Sequence, residues 1–146
     1  MIDFVIIGHA NIASGLLSAV ELILGPQKQI QCVELLADDT LTEFKSKLKR
    51  CLSQANSNHP YLVFCDLLGG SPFQVTATEA LQNDFIQIVY GINLGMLIEM
   101  ISLRDSEYEI KDMVDAAVRT GINQVGYLDK EKVFSTVSDT TLDEDW

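Results

Sequence analysis

The sequence predicts an α/β domain, a doubly wound and mostly parallel sheet with helices on both faces. Three observations predict it. Short, almost wholly apolar runs recur at Ile2–Ile7, Tyr61–Cys65 and Phe85–Tyr90, and continuous apolarity marks strands that a parallel sheet buries on both faces. The segments between them carry apolar residues at helical spacing. Strands alternating with helices imply parallel crossover units rather than hairpins.

The first strand, Ile2–Ile7, is almost wholly apolar and reads as central. Ile12, Leu16, Leu17, Val20, Ile23 and Leu24 then follow the helical period, and Gly25-Pro26 stops the helix. Gln29–Leu35 is the second strand. Thr40 and Glu43 form a capping-box pair ahead of Leu41, Phe44, Leu48 and Leu52, the stripe of a second helix. Its other face carries Lys45, Lys47, Lys49 and Arg50, which reads as a solvated face, or alternatively as a docking surface for an acidic partner.

The turn cluster Asn56–Pro60 leads into the third strand, Tyr61–Cys65. Ser71, followed by Pro72 and by Gln74 three positions on, predicts a third helix with Ser71 as N-cap and Pro72 at N1. Phe85–Tyr90 is the fourth strand and Leu94–Leu103 a short helix. Tyr108–Thr120 is a fifth helix on the stripe Ile110, Met113, Val114, Ala117 and Val118, with Gly121 as its C′ residue. Ile122–Leu128 reads as a fifth, shorter strand. Residues 1–129 are thus one domain, and residues 130–146 are a polar, acidic tail.

Bulk properties narrow the function. The chain has 146 residues, 47% apolar and 21% charged, which suits a single globular domain with its own core. A formal charge of −11 opposes binding to nucleic-acid phosphates or to an anionic membrane surface. No basic, signal-like segment precedes the first apolar run, and no apolar stretch reaches membrane-spanning length, so a cytoplasmic protein is expected. Cys32, Cys51 and Cys65 are odd in number and form no Cys-x-x-Cys pair, as in a reducing compartment where thiols stay free.

Chemistry concentrates at two strand ends. His9 follows the first strand and Asp66 the third, and the carboxyl ends of neighbouring parallel strands share one crevice. Either residue alone has a bland reading, His9 as a structural histidine and Asp66 as a turn cap. Together they suit nucleophilic catalysis: a carboxylate that accepts the Nδ1–H of an imidazole fixes the tautomer and frees the Nε2 lone pair. The next segment, Gly69-Gly70-Ser71, lets backbone N–H groups approach an anion at a helix start. Phosphoryl transfer is the indicated reaction. His59 lies in a polar turn and reads as exposed. No cofactor or metal is expected, because His9, Cys65 and Asp66 are too few to ligate zinc and no nucleotide-binding glycine motif occurs.

Phe4-Val5-Ile6-Ile7-Gly8-His9, Asp66-Leu67-Leu68-Gly69-Gly70-Ser71-Pro72-Phe73 and Gly91-Ile92-Asn93-Leu94-Gly95-Met96-Leu97 together resemble the enzyme IIA component of the mannose (mannose/fructose/sorbose) family of the bacterial sugar phosphotransferase system. The resemblance spans about residues 1–128. It implies a phosphohistidine carrier: the phosphocarrier HPr phosphorylates His9, Asp66 orients the ring, and Gly69, Gly70 and Ser71 lie near the phosphoryl oxygens. The group then passes to enzyme IIB, and the sugar enters through membrane subunits IIC and IID. The resemblance also implies a homodimer that exchanges the C-terminal strand, here Ile122–Leu128. One departure is Leu67, where the family often has a hydroxyl residue.

Two other readings share parts of this pattern. A phosphoryl-carrier domain serving dihydroxyacetone kinase would have the same fold and a histidine after the first strand, although the Ser-Pro-Phe loop argues against it. A receiver-like signalling module would accept phosphate on Asp66, yet the first strand ends in Gly8-His9 rather than in an acidic pair.

Overall fold

The computed structural model describes residues 1–132. Its elements are β1 (Asp3–His9), α1 (Ile12–Leu24), β2 (Ile30–Leu35), α2 (Leu41–Leu52), β3 (Tyr61–Cys65), α3 (Ser71–Gln82), β4 (Ile86–Tyr90), α4 (Leu94–Leu103) and α5 (Ile110–Asn123). The sheet order is β2-β1-β3-β4 with every pairing parallel. The two most thoroughly buried strands, β1 and β3, are therefore interior, as their apolar composition requires.

Side chains alternate across the sheet and meet two different helical layers. Phe4, Ile6, Leu62, Phe64 and Val89 pack with Val20, Leu97, Met100 and Met113 from α1, α4 and α5. On the other face, Val5, Ile7, Val33, Val63 and Cys65 pack with Phe44, Leu48 and Leu52 of α2. Covering both faces is what makes the sheet doubly wound. Each large side chain buried this way contributes about 1.5–3 kcal/mol, so the strands that carry the site are its most firmly held parts.

Arg104, at the end of α4, fastens the opposite end of the sheet. Its guanidinium donates to the carbonyls of Ile2, Lys28 and Gln29 at 3.2, 3.0 and 2.7 Å and lies 4.7 Å from the centroid of the Phe4 ring. Gln29 takes a left-handed φ of 63°, and the paired carbonyls hold that turn into β2.

The expected capping box is present, with the Glu43 N–H donating to Thr40 Oγ1 and the Thr40 N–H donating to Glu43 Oε2. The basic face of α2 is tied into the fold in part. Lys47 lies 2.6 Å from Asp39 and reaches the Glu34 carbonyl on β2, an edge strand among the described residues, and Lys49 pairs with Glu79 at 3.8 Å. A lysine at an unpaired edge opposes strand addition there.

Three expectations are corrected. Gly70, not Ser71, is the N-cap of α3; Ser71 is already helical, and Pro72 stands in the first turn. Glycine serves here because it fits close to its neighbours, a requirement stronger than the preference for a hydroxyl cap. Gly121 does not end α5, which continues to Asn123. The reason is packing: Gly121 is buried and a Cβ on it would meet Met96 Cε at 2.5 Å, so the glycine serves close helix contact rather than a left-handed turn. Ile122–Leu128 is accordingly no strand in the single chain; Ile122 and Asn123 close α5, and residues 125–129 carry no regular structure. Residues 133–146, most of the expected tail, lie outside the described residues.

Candidate active site

Parallel pairing brings the site together. Ile7 on β1 is in register with Cys65 on β3, and one residue further the Asp66 N–H donates to the Ile7 carbonyl at 3.3 Å. His9 and Asp66, 57 residues apart in sequence, therefore lie side by side at the carboxyl edge of the sheet, where ligand-handling residues of such folds sit.

One oxygen of Asp66 serves His9 twice. Oδ2 accepts the His9 backbone N–H at 3.0 Å and faces the ring Nδ1 at 2.8 Å. Asp66 is 8% exposed at its side chain and His9 is 44% exposed. Burial pushes the Asp66 carboxyl up, but the backbone and ring hydrogen bonds from His9 and the interaction of charge outweigh it, leaving the group below its ordinary value. The carboxylate is thus ionised at neutral pH and can only accept. In the neutral ring Nδ1 then carries the proton, and Nε2, with no hydrogen-bond partner among the described residues, keeps its lone pair.

Two glycines make this geometry feasible. A Cβ on Gly8 would stand 2.9 Å from Asp66 Cγ and 2.4 Å from Ile12 Cγ2, and one on Gly70 would stand 2.8 Å from His9 Cε1 and 3.3 Å from Nε2. The first lets the carboxylate lie against the backbone of β1; the second lets the start of α3 approach the ring. Gly69 has φ +79°, which turns the loop, and Gln74 secures it by donating from Nε2 to the Gly69 carbonyl at 2.9 Å. Buried Pro72 and the edge-on contact of Phe73 with Tyr90 anchor the helix start below. Gly8→Ala should lower stability by about 1–3 kcal/mol, the cost of overpacking a filled site; a urea midpoint unchanged from wild type would contradict that packing.

Of the residues expected from sequence, His9, Asp66 and Gly70 are brought into direct proximity, Gly69 supplies the turn, and Ser71 opens α3 beside Gly70. Leu67 and Leu68 project at the surface, each 56% exposed. Sequence reasoning gave Gly8, Gln74 and Ala10 no place in the site. Ala10 takes a left-handed φ of 48° directly after His9, and nothing in its residue type signals that. His59 stands at the other end of the sheet, exposed and 3.6 Å from Asp3. Among the described residues no cluster of three or more His, Cys, Asp or Glu side chains could hold a metal ion, and no helix is long and apolar enough to cross a membrane.

Residues 3–118 match the family model of the PTS system fructose IIA component. The fructose-specific EIIA component of Bacillus subtilis (strain 168) is 26% identical over 146 residues, covering 99% of both chains. The mannose-specific EIIAB component of Escherichia coli (strain K12) is 26% identical over 118 residues, 80% of this chain, and the chain spans only 36% of that relative's length. Among solved structures, component EIIA from Streptococcus agalactiae superposes with a TM-score of 0.80 at 29% identity, covering 93% of this chain and 99% of its own. The mannose/sorbose specific IIA subunit from Enterococcus faecalis gives 0.77 at 27% identity, covering 87% and 94%. With the family model matched over most of its length and an all-parallel sheet that superposes on solved IIA proteins, the chain belongs to the IIA components of the mannose, fructose and sorbose family of the sugar phosphotransferase system.

Proposed function

We propose that this protein carries a phosphoryl group on Nε2 of His9, received from phospho-HPr and delivered to enzyme IIB for uptake and phosphorylation of a mannose-family sugar by IIC and IID. The single observation that carries the reading is the double hold of Asp66 Oδ2 on the His9 backbone and Nδ1. In the forward step the Nε2 lone pair attacks phosphorus, the N–P bond of the donor phosphohistidine breaks, and the donor imidazole keeps the electron pair. His9 then bears a positive charge shared over its ring, which the Asp66 carboxylate opposes from the far nitrogen. The Gly70–Ser71 start of α3 offers backbone N–H groups and the positive end of a 12-residue helix to the phosphoryl oxygens. Leu67 offers no side-chain donor, so these amides and Ser71 supply the polar contacts. Little else is required, because positioning and charge account for most of the catalysis in such transfers.

Phosphate acceptance by Asp66 itself is disfavoured, since its side chain is nearly buried and Oδ2 is committed to His9. Transfer to a dihydroxyacetone kinase subunit is the competing destination. Incubation with phosphoenolpyruvate, enzyme I and HPr, followed by a purified IIB or a purified kinase subunit, tests both: the label should pass to IIB and remain in place with the kinase subunit. Passage to the kinase subunit alone would overturn the assignment.

The quaternary proposal is a homodimer. Among the described residues β4 is an edge of the sheet, and Val125, Tyr127 and Leu128 are 80, 85 and 65% exposed, an apolar stretch suited to an interface. A second copy, exchanging residues 125–128 onto β4, would bury both. Sedimentation equilibrium should give twice the chain mass of 16.2 kDa; a single-chain mass at micromolar concentration would refute the exchange.

A further inference from the structure

The second oxygen of Asp66 lies beside a side chain that the resemblance leaves without a role. Cys65 ends β3 and is fully buried among Val5, Ile7 and Val63 on the α2 side of the sheet. Its Sγ nevertheless lies 3.7 Å from Asp66 Oδ1 and 3.7 Å from the Leu67 carbonyl, within the range of hydrogen bonds to sulfur.

We propose that Cys65 is a positioning residue: its S–H donates to Asp66 Oδ1 and fixes the rotation of the carboxylate that presents Oδ2 to His9. The inference rests on the reading of His9 as the phosphoryl acceptor. His9 holds the carboxylate at Oδ2 and the Leu67 backbone N–H also bonds to it, but without the thiol at Oδ1 the carboxylate, and the ring it orients, keeps more freedom to rotate. A donor on Oδ1 removes this freedom. The alternative contact with the Leu67 carbonyl links the same thiol to the loop that leads to Gly70.

The residue type fits the task. A strand end facing an apolar layer favours a side chain that tolerates burial, and few of those can also donate a proton. Thiols do both, weakly as donors but toward a fully charged acceptor. Burial, reinforced by the negative charge of Asp66, pushes the Cys65 thiol up to about 11, so the proton is present throughout the physiological range. The same burial makes it a poor nucleophile, and no redox role is attached to it.

The experiment compares Cys65→Val, which keeps the volume and removes the donor, with Cys65→Ser, which retains one, both in the full chain. Proton–nitrogen NMR of the His9 ring, in unphosphorylated protein across a pH series, reads the tautomer and the protonation of its partner. Losing a donor to the ionised form raises the pKa of Asp66, so in Cys65→Val the loss of the Nδ1–H signal on acidification should begin at higher pH than in wild type. Its initial rate of labelling by phospho-HPr should fall roughly 3- to 10-fold, the worth of one modest hydrogen bond, while Cys65→Ser stays within about 2-fold of wild type. Should Cys65→Val fail to fold, Cys65→Ala carries the same expectation without added bulk. His9 signals, pH profile and rate in the donor-free variant that match wild type would overturn the proposal. Because the NMR comparison needs no phosphoryl transfer, absence of label in wild type would sink the acceptor reading while leaving the thiol's role separately decided.

Discussion

His9→Ala should abolish labelling by phospho-HPr, while His59→Ala should be labelled as wild type. The contrast is steep because the chain contains only these two histidines and their surroundings share nothing. His9 has one ring nitrogen committed to a buried carboxylate, its other nitrogen unpartnered among the described residues, and a helix start abutting it. His59 sits at the opposite end of the strands, 60% exposed at its side chain, beside a single carboxylate 3.6 Å away. Alanine at position 9 removes the proposed nucleophile without disturbing a core residue, so the variant should fold. Liquid-scintillation counting after gel separation gives the readout. Residual label above background in His9→Ala would place the acceptor elsewhere.

The second large effect is expected at Asp66→Asn, with the labelling rate reduced roughly 10⁴-fold, the scale seen when the orienting carboxylate of an imidazole base is neutralised. The amide is isosteric, and its oxygen can still accept the His9 backbone N–H. It cannot supply negative charge as the ring becomes cationic. If the amide rotates, its N–H₂ donates to Nδ1 and drives the proton to Nε2, the tautomer that cannot attack. A rate within tenfold of wild type would show that Asp66 is merely structural.

The same substitution should change the pH dependence of folding. Asp66 has its pKa lowered in the folded protein, so its stabilising contribution is fully present above the ordinary carboxylate range and is lost as pH falls through the lowered folded value. The amide of the Asp66→Asn variant does not titrate. Wild type should therefore lose stability in acid more steeply than the variant, a difference that urea titrations at pH 7 and pH 3 would reveal.

Most of the architecture was legible because burial on two faces leaves continuous apolar strands, and helices with one dry face show the 3.6-residue period. β1 through α4 follow those signals to within a residue or two. The signal failed where one residue type serves two purposes. Gly121 reads as a helix stop, yet it is a packing glycine inside α5 that makes room for Met96. Val125, Tyr127 and Leu128 read as strand because of their apolar character, whereas strand formation needs a partner, and none pairs with them among the described residues. Ser71 has the composition of a cap, and Gly70 takes the position because a side chain there would strike the imidazole.

The site was legible in its charged members and not in its spatial ones. His9 and Asp66 announce themselves by chemistry and by strand-end position. Gly8 is an ordinary strand residue until Asp66 is seen to occupy the space of its missing Cβ. Cys65 reads as a core thiol until its sulfur is found beside Oδ1. Gln74 reads as the fourth residue of a capping signal, and it instead reaches back to the Gly69 carbonyl. Such roles depend on distances between segments, which no local pattern encodes.

Heteronuclear NMR of the phosphorylated protein, correlating phosphorus with the imidazole carbons and nitrogens, distinguishes the two possible N–P bonds directly. Phosphorus bonded to Nε2 of His9, with Nδ1–H still donating to Asp66, is the predicted result. Phosphorus on Nδ1, or an acyl phosphate on Asp66, would contradict the arrangement in which the carboxylate holds one nitrogen so that the other can accept.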